Sequence, residues 1–286
     1  MLNFGSSPEP VFGPDRQLLT RWIESMEGYG QSWFDDIGKD YFSQEYWYLF
    51  TITLVYHWRQ TPLSVSEACD SMKTGSSKTR ENRLKKLITE HFFIKIKNQT
   101  DLRRTYLEPT TEMLLGGRKH FSNSLGRAIQ FLDDARLLAS NPQPLLDGVL
   151  SDGEHVDKNY LLPWAEFLIG YTNDWNNTFS KRFHTEEYWY PFTYCLLACW
   201  RGQRLTTSEV CQCMRTGSGR TKEKRVSLAV SRGMLVKQKS NCDLRTTYIL
   251  TSSVLEELLI SHFGRTLNNL LSLTQGLLAR QQEIRA

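Results

Sequence analysis

Apolar residues follow a helical period in some parts of the chain and a strand period in others. Residues 16–34 carry an amphipathic helical stripe, and residues 44–60 are apolar almost all round, which predicts a helix in the centre of a domain. Residues 92–98 and 104–110 alternate apolar and polar positions, as the two strands of a half-buried hairpin do. The stripe of the first helix consists of Leu18, Leu19, Trp22, Ile23 and Met26.

The segment between the apolar helix and the hairpin predicts two short helices joined by a tight turn. Ser64 followed by Glu67 has the spacing of a capping box, which starts the first of these helices. Thr74-Gly75 interrupts it, and Ser76 can cap a second helix that runs towards residue 90. Helix, turn, helix and hairpin in this order predict a winged helix-turn-helix, in a fold that is mainly α with small β wings.

The chain contains this pattern twice, at a constant offset of 142 residues. Between residues 45–107 and 187–249, 27 of 63 positions are identical without a gap, and the second copy repeats the capping box as Thr206 and Glu209. A repeat this long indicates two complete domains. We predict domains at 15–139 and 158–284, joined by a linker at 140–157 that is rich in proline, glycine and acidic residues.

Composition limits the class of protein. No apolar run is long enough to span a membrane, and the N-terminal residues lack the pattern of a secretory signal, so we expect a cytoplasmic, nucleoid-associated protein without membrane contact. The six cysteines are spread one to five over the two halves, which is not the distribution of a disulfide framework. Buried free thiols are the simplest interpretation, and a thiol sensor stays open as an alternative.

Positive charge is concentrated in the two repeated segments. Residues 73–104 hold ten Lys or Arg against three acidic residues, and residues 215–245 hold nine against two, so each segment carries +7. Because the whole chain carries only +4, the remainder has a net charge of about −10. A surface that binds duplex DNA clusters cations in this way to meet the phosphates. Double-stranded DNA is therefore the expected partner.

The start of the second short helix would enter the major groove, and the hairpin would lie over the adjacent minor groove. We expect Arg to read guanine edges in the groove, because its two-pronged donor group matches O6 and N7. Asp101 and Asp243 would orient the wing arginine or cap the hairpin turn. The candidate DNA-binding residues of the helices are Ser76, Ser77, Lys78, Thr79, Arg80, Arg83, Ser218, Gly219, Arg220, Thr221, Lys222 and Arg225. Those of the wings are Lys97, Arg103, Arg104, Lys239 and Arg245.

The hairpin sequence DLRRTYLEPT at 101–110, with an Asp and then an Arg two residues later, resembles the wing signature of the MarR family of bacterial transcription regulators. The preceding residues 76–95 are similar to that family's recognition helix and first wing strand. The second copy departs from the signature, since Ser252 stands where the Thr is expected. The resemblance covers about 45–113 and, through the repeat, 187–255.

The resemblance implies a transcription regulator in which both halves of a dimer are carried by one chain. Helices at 15–34, 112–139, 158–178 and 253–284 would then form the shared helical region of this pseudo-dimer, and half-sites would lie about one DNA turn apart. Ser77 against Gly219 and Asn82 against Lys224 predict two different half-sites. Family members also bind small aromatic ligands, and Trp22, Tyr29, Trp33 and Trp47 with their counterparts lie in the corresponding region.

The sequence also bears on three classes of function other than DNA-binding regulation. No phosphate-binding glycine loop, metalloprotease motif or nucleophile elbow is present, so we expect neither an enzyme nor a bound metal or cofactor. A plasmid-type replication initiator can also pair two winged helices, although its repeats align less easily than these. A protein-interaction module that contacts RNA polymerase or another regulator remains the other alternative.

Overall fold

The computed structural model describes residues 15–37, 41, 44–72, 75–97, 101, 103–150, 156–240 and 246–285. Its described part is mainly helical with two small antiparallel sheets, which confirms the predicted fold class at this level. The helices are α1 Arg16–Ile37, α2 Gln44–Trp58, α3 Val65–Ser71, α4 Ser77–Thr89, α5 Thr111–Asp134, α6 Gln143–Leu150, α7 Lys158–Thr178, α8 Glu186–Trp200, α9 Thr207–Cys213, α10 Gly219–Ser231 and α11 Ser253–Arg285. The strands are β1 Leu63–Ser64, β2 Phe93–Lys97, β3 Thr105–Pro109, β4 Leu205–Thr206, β5 Leu235–Lys239 and β6 Thr247–Thr251.

Each of the four short helices, α3, α4, α9 and α10, begins at the capping residue predicted from the sequence. Ser64 and Glu67 form both hydrogen bonds of a capping box at α3, and Thr206 and Glu209 do the same at α9. The hydroxyl of Ser76 accepts the backbone N–H of Thr79 at the start of α4, and the same bond recurs at α10. These bonds satisfy backbone donors that a helix leaves open at its N-terminus. The sequence prediction of all four starts is confirmed.

Each of the two sheets contains one strand more than the sequence predicted. The hairpin strands β2 and β3 pair in antiparallel fashion, with Ile96 opposite Tyr106, and β5 and β6 repeat this arrangement. The two-residue strands β1 and β4 add to β3 and β6, giving the orders β1-β3-β2 and β4-β6-β5. A two-residue strand shows no alternation that a sequence pattern could reveal. It ties the start of α3 or α9 directly to the hairpin.

The chain forms two compact units, and neither is a continuous stretch of sequence. We call Ser25–Tyr171 with Asn269–Ala286 the first lobe, and Met1–Glu24 with Thr172–Asn268 the second lobe. Each lobe contains one helix pair with its hairpin, α3 and α4 in the first and α9 and α10 in the second. These lobes differ from the contiguous ranges predicted, because α1, α7 and α11 each contribute residues to both.

Inside the first lobe, α7 of the second sequence copy packs on elements of the first copy. The indole Nε1 of Trp164 donates to Ser124 Oγ at 2.8 Å, in the buried core, and Arg59 pairs with Glu166 at 2.6 Å. Leu161 and Leu168 on the same helix are also buried. The first lobe is therefore completed by a helix from the other copy.

Inside the second lobe, the matched positions make the same contacts with the copies exchanged. Trp22 Nε1 donates to Thr266 Oγ1 at 3.1 Å, and Arg201 pairs with Glu24. Each of these residues lies 142 positions from its counterpart in the first lobe. The same hydrogen bond and the same ion pair thus close both lobes.

The segment predicted as a linker contains the helix α6, whose Leu145, Leu146 and Val149 are buried. Ser122 of α5 donates a hydrogen bond to the backbone oxygen of Val149, which fixes α6 on α5. Residues 151–155 of that segment lie outside the described residues. Within the described ranges, no helix combines the length and the apolar character that a membrane crossing requires.

Candidate nucleic-acid interface

The starts of α4 and α10 expose corresponding side chains. Ser77, Lys78 and Thr79 are exposed in the first turn of α4, and Gly219, Arg220 and Thr221 are exposed in that of α10. Lys78 and Arg220 are matched cations, and neither helix has an acidic residue in its first turn. Both helix starts therefore present an exposed cation to solvent together with the positive end of the helix dipole.

The hydroxyl groups of Ser76 and Thr79 form a hydrogen bond with each other at the start of α4. Their hydroxyl oxygens lie 2.9 Å apart, and those of Ser218 and Thr221 lie 3.0 Å apart. Because the serine also accepts a backbone N–H, the serine oxygen is occupied within the protein. Ser76 and Ser218 are thus capping residues, while Thr79 and Thr221 keep their exposed position beside them.

Arg80 and Lys222 were expected to be exposed in the groove-facing turn, and this expectation is wrong. Both side chains are half-buried and reach back to the preceding helix end. Arg80 Nη1 donates to the backbone oxygen of Met72 at 3.3 Å and lies 4.0 Å from Asp70, while Lys222 Nζ donates to the backbone oxygen of Met214. Positions 72 and 214 match in the repeat, so the two copies use one arrangement.

Arg83 and Arg225 were also expected to be exposed, and they too are half-buried. Arg83 Nη1 lies 4.0 Å from Glu45 Oε2, and Arg225 Nη2 pairs with Glu187 Oε2. Arg225 Nη1 additionally donates to the backbone oxygen of Thr216 at 2.9 Å. These arginines contact the start of the long central helix, α2 or α8, of their own lobe.

The helical period explains both corrections. Positions 80 and 83 share one face of α4 with Leu84 and Leu87, which are buried in the core of the lobe. A long cationic side chain on the edge of that face covers apolar surface and carries its charge to a nearby oxygen. The sequence pattern identified the helix correctly, but the prediction placed these two positions on the wrong side.

The outward face of each helix holds Asn82 or Lys224, which were predicted above to distinguish the half-sites, together with Lys85 or Ser227, which were not predicted. Starting from Lys78, steps of four and seven residues lead to Asn82 and Lys85, and all three are exposed. The matched face of α10 presents Arg220, Lys224 and Ser227, which are exposed as well. Helical spacing from the first exposed cation would have identified these positions from the sequence.

The hairpins carry exposed cations on one sheet face. Lys97 and Lys239 are exposed as predicted, and Lys95 and Lys237 two residues earlier join them on the same face. Arg103 and Arg104 are exposed beside them. Each hairpin thus adds at least two exposed cations on one face of its sheet, in the strand that follows α4 or α10 along the chain.

Asp101 caps the turn of the first hairpin, one of the two roles expected for it. Its Oδ1 accepts the backbone N–H of Arg103 at 3.1 Å, and its Oδ2 lies 3.4 Å from Arg104 Nε. Asp101 therefore contacts the side chain of Arg104. Asp243 and Arg245, the corresponding residues of the second hairpin, lie outside the described residues.

A polar cluster around a buried histidine distinguishes the second lobe. His262 Nδ1 lies 2.6 Å from Asp174 Oδ2, and Arg265 Nε donates to Asp174 Oδ1 at 2.8 Å. Burial lowers the pKa of His262, although its hydrogen bond to Asp174 acts in the opposite direction. Burial alone would raise the pKa of Asp174, but the bonds from His262 and Arg265 outweigh it and lower that pKa.

In the first lobe, the matched histidine has other residues at the positions of the aspartate and the arginine. His120 matches His262 at the repeat offset and is buried among Tyr29, Trp33 and Phe121. The positions that match Asp174 and Arg265 are Ser32 and Asn123, which line an open cleft of about 550 Å³ with α6. The matched histidine pair is a signal that the sequence prediction missed.

The residues considered for ligand or thiol chemistry belong mainly to the core. Trp22, Trp33, Trp164 and Trp175 are buried, and Trp47 donates from Nε1 to the hydroxyl of Tyr29 at 2.9 Å. Burial raises the pKa of Cys195 well above its ordinary value, which suppresses the reactive thiolate. Among the residues that the structure describes, no three His, Cys, Asp or Glu side chains are arranged to hold a metal ion.

Comparison with known proteins adds no assignment, since no protein-family model and no curated protein matches this chain. The interpretation of the cationic surface therefore depends on its geometry and chemistry.

Proposed function

We propose that the protein is a sequence-specific double-stranded DNA-binding transcription regulator that resembles the MarR family. In this proposal, each lobe is a winged helix-turn-helix, with α4 or α10 as recognition helix and the following hairpin as wing. One observation carries the proposal: two matched helix-and-hairpin surfaces each expose the same row of cations, while the rest of the chain is acidic. The cations of the two rows are Lys78, Lys95 and Lys97, and Arg220, Lys237 and Lys239.

The pseudo-dimeric arrangement is supported by the exchange of helices. In both lobes, the tryptophan that bonds to Ser124 or Thr266 comes from the other sequence copy. Exchange of terminal helices is how two copies of a domain can share one helical core. A single chain that carries both copies would hold two recognition helices in fixed stoichiometry.

The two recognition helices would read different half-sites. At the outward face, Asn82 and Lys85 of α4 are replaced by Lys224 and Ser227 of α10. Asparagine is suited to adenine, whereas lysine and arginine favour guanine. The expected operator is therefore an imperfect palindrome in which adenine contacts are confined to the half bound by α4.

The first prediction concerns sequence selection. Fragments selected from random duplex DNA by the wild-type protein should show two unlike half-sites, and Arg220→Ala should abolish the preference at one of them. We expect a loss of about 1–3 kcal/mol for the preferred bases at that half-site. Lys78→Ala should affect the other half-site, and the exposed Lys119→Ala on α5 should affect neither.

Salt dependence tests the same proposal independently of sequence. With six to ten phosphate contacts, affinity should fall by about 10³–10⁵ between 50 and 200 mM salt. Lys239→Ala should lower the log–log slope by about 0.9, since it removes one phosphate contact. Selection of a perfectly symmetric site, or affinity that does not change with salt, would contradict the proposal.

A protein-interaction module is the second candidate, and exposed apolar side chains favour it. Ile94, Ile96 and Val236 are 45%, 37% and 44% exposed on the outward faces of the two sheets. Ile94 and Ile96 share one face of β2, Val236 matches Ile94 at the repeat offset, and a contiguous exposed apolar patch is typical of a protein-binding surface. For this function, substitution of Ile94 and Val236 by Ser would abolish partner binding and leave DNA affinity unchanged.

A further inference from the structure

Glu45 and Glu187, the glutamates of the repeated EYWY sequence, do not belong to the exposed cationic surface described above. They lie in the first turn of the long helices α2 and α8, where Glu45 is buried, with 6% of it exposed, and Glu187 is half-buried. We infer that they are positioning residues that set the orientation of the recognition helices α4 and α10. This inference extends the proposed function, since it assigns an acidic residue a role in DNA binding that charge alone would exclude.

In the second lobe, Glu187 and Arg225 together hold the turn that precedes α10. Glu187 Oε2 pairs with Arg225, while its Oε1 accepts the hydroxyl of Thr216. Arg225 in turn donates to the backbone oxygen of Thr216 at 2.9 Å. One carboxylate thus fixes both ends of the segment from the turn to the second turn of the recognition helix.

The first lobe shows the same arrangement in a looser form. Glu45 Oε2 lies 4.0 Å from Arg83 Nη1, and the side chains are 8% and 25% exposed. A charge at this degree of burial has lost most of its water, so it depends on its partner and on nearby donors. The occurrence of one acid–arginine pair at both matched positions indicates a shared role.

The pair controls where the exposed residues point. Arg225 Nη1 comes within 3.0 Å of the Cβ position at Gly217, so the guanidinium lies directly against the turn backbone. Arg220 and Lys224 are exposed on the same helix. A shift of the turn would therefore move the exposed cations relative to the hairpin, although neither glutamate touches the exposed face.

The negative charge of Glu187 allows an experiment to separate a positioning role from a direct electrostatic effect on DNA. Removing an acidic side chain close to bound DNA should strengthen binding if only electrostatics act. We expect Glu187→Gln to weaken binding of a selected duplex at least tenfold. The matched control is Glu223→Gln, which removes an exposed carboxylate from α10 itself and should leave affinity equal or higher.

Selectivity by half-site separates positioning from general loss of structure. Glu187→Gln should reduce base preference only at the half-site that Arg220→Ala affects, and Glu45→Gln only at the other. Glu187→Asp, which keeps the charge, should recover part of the preference. Unchanged or tighter binding of Glu187→Gln would overturn the inference, and so would equal weakening at both half-sites.

Arg225 gives a second test through salt dependence. Arg225→Ala should lower affinity without changing the log–log salt slope, because the arginine is paired within the protein. A phosphate contact would instead lower the slope by about 0.9. A lower slope would overturn the positioning role of this arginine.

Hydrogen exchange in the DNA-free protein makes the inference independent of the proposed function. Glu187→Gln should speed exchange of backbone amides across 216–225, and Glu223→Gln should not. If the wild-type protein binds no duplex, the proposed function fails while this measurement still decides the role of Glu187. Unchanged exchange in Glu187→Gln would show that it does not hold the turn.

Discussion

At the scale of single residues, the turn between the short helices depends on a glycine in each lobe. Gly75 and Gly217 have φ values of +88° and +95°, in the left-handed region that residues with a side chain rarely adopt. A Cβ at Gly217 would also lie 3.2 Å from Thr221 Cγ2 and 3.0 Å from Arg225 Nη1. Conformation and space therefore require glycine at both positions.

This requirement predicts a large difference between two nearby glycines. Gly217→Ala should destabilise the protein by about 1–3 kcal/mol, because it adds backbone strain to a crowded site. Gly219→Ala is the matched control: a Cβ there meets open space in the first turn of α10, so alanine should be neutral or stabilising by up to about 1 kcal/mol. Urea unfolding measures both, and equal stability of the two variants would contradict the prediction.

At the scale of elements, the capping box of α9 links the helix start to the sheet. Thr206 lies in β4, and its backbone N–H donates to Glu209 Oε2 at 2.7 Å, while the Glu209 N–H donates to the threonine hydroxyl. Hydrogen bonds from the backbone and then the side chain of Thr206 lower the pKa of Glu209. One residue thus ends a strand, begins a helix and stabilises a carboxylate.

Loss of this box should cost stability in a pH-dependent way. Thr206→Ala should destabilise by about 1 kcal/mol near pH 7, whereas the exposed Ser208→Ala on the same helix should change little. Because the folded pKa of Glu209 is lowered, its contribution is present above the ordinary value of 4.5 and is lost as pH falls through the folded pKa. The difference in urea midpoint between wild type and variant should therefore narrow from pH 7 to 3 without vanishing, because the bond from the Glu209 N–H to the threonine hydroxyl does not titrate. A difference that stays constant would argue against the carboxylate's role.

At the scale of the whole molecule, each lobe is completed by a helix of the other sequence copy. The first lobe takes Leu161, Trp164 and Leu168 from α7, all buried, and the second takes Trp22 and Ile23 from α1. Burial of such side chains stabilises by about 1.5–3 kcal/mol each. Neither contiguous copy contains a complete core.

This exchange predicts that the two halves of the chain depend on each other. Residues 1–150 expressed alone lack α7, so we expect them to unfold at a lower urea concentration than the whole chain. Mixing them with residues 156–286 should restore the midpoint and give a 1:1 complex in sedimentation equilibrium. An isolated half that unfolds at the midpoint of the whole chain would contradict the exchange of helices.

The sequence by itself determined the elements and their repetition. Capping residues, turn glycines and apolar period act over a few neighbouring residues, so the starts of α3, α4, α9 and α10 and the strands of both hairpins were predictable. The cationic character of the two segments was equally visible, because charge can be counted. These features depend on local chemistry that a single segment contains.

Only the tertiary structure decided which cations face solvent and which copy completes which lobe. Lys78 and Arg83 differ little in sequence context, but a buried glutamate from α2 lies beside Arg83, which is half-buried, whereas Lys78 is exposed. Likewise, a repeat aligns Trp22 with Trp164 without stating which core either one enters. Both outcomes depend on contacts between residues about 40 to 240 positions apart, since packing brings together partners that no local pattern specifies.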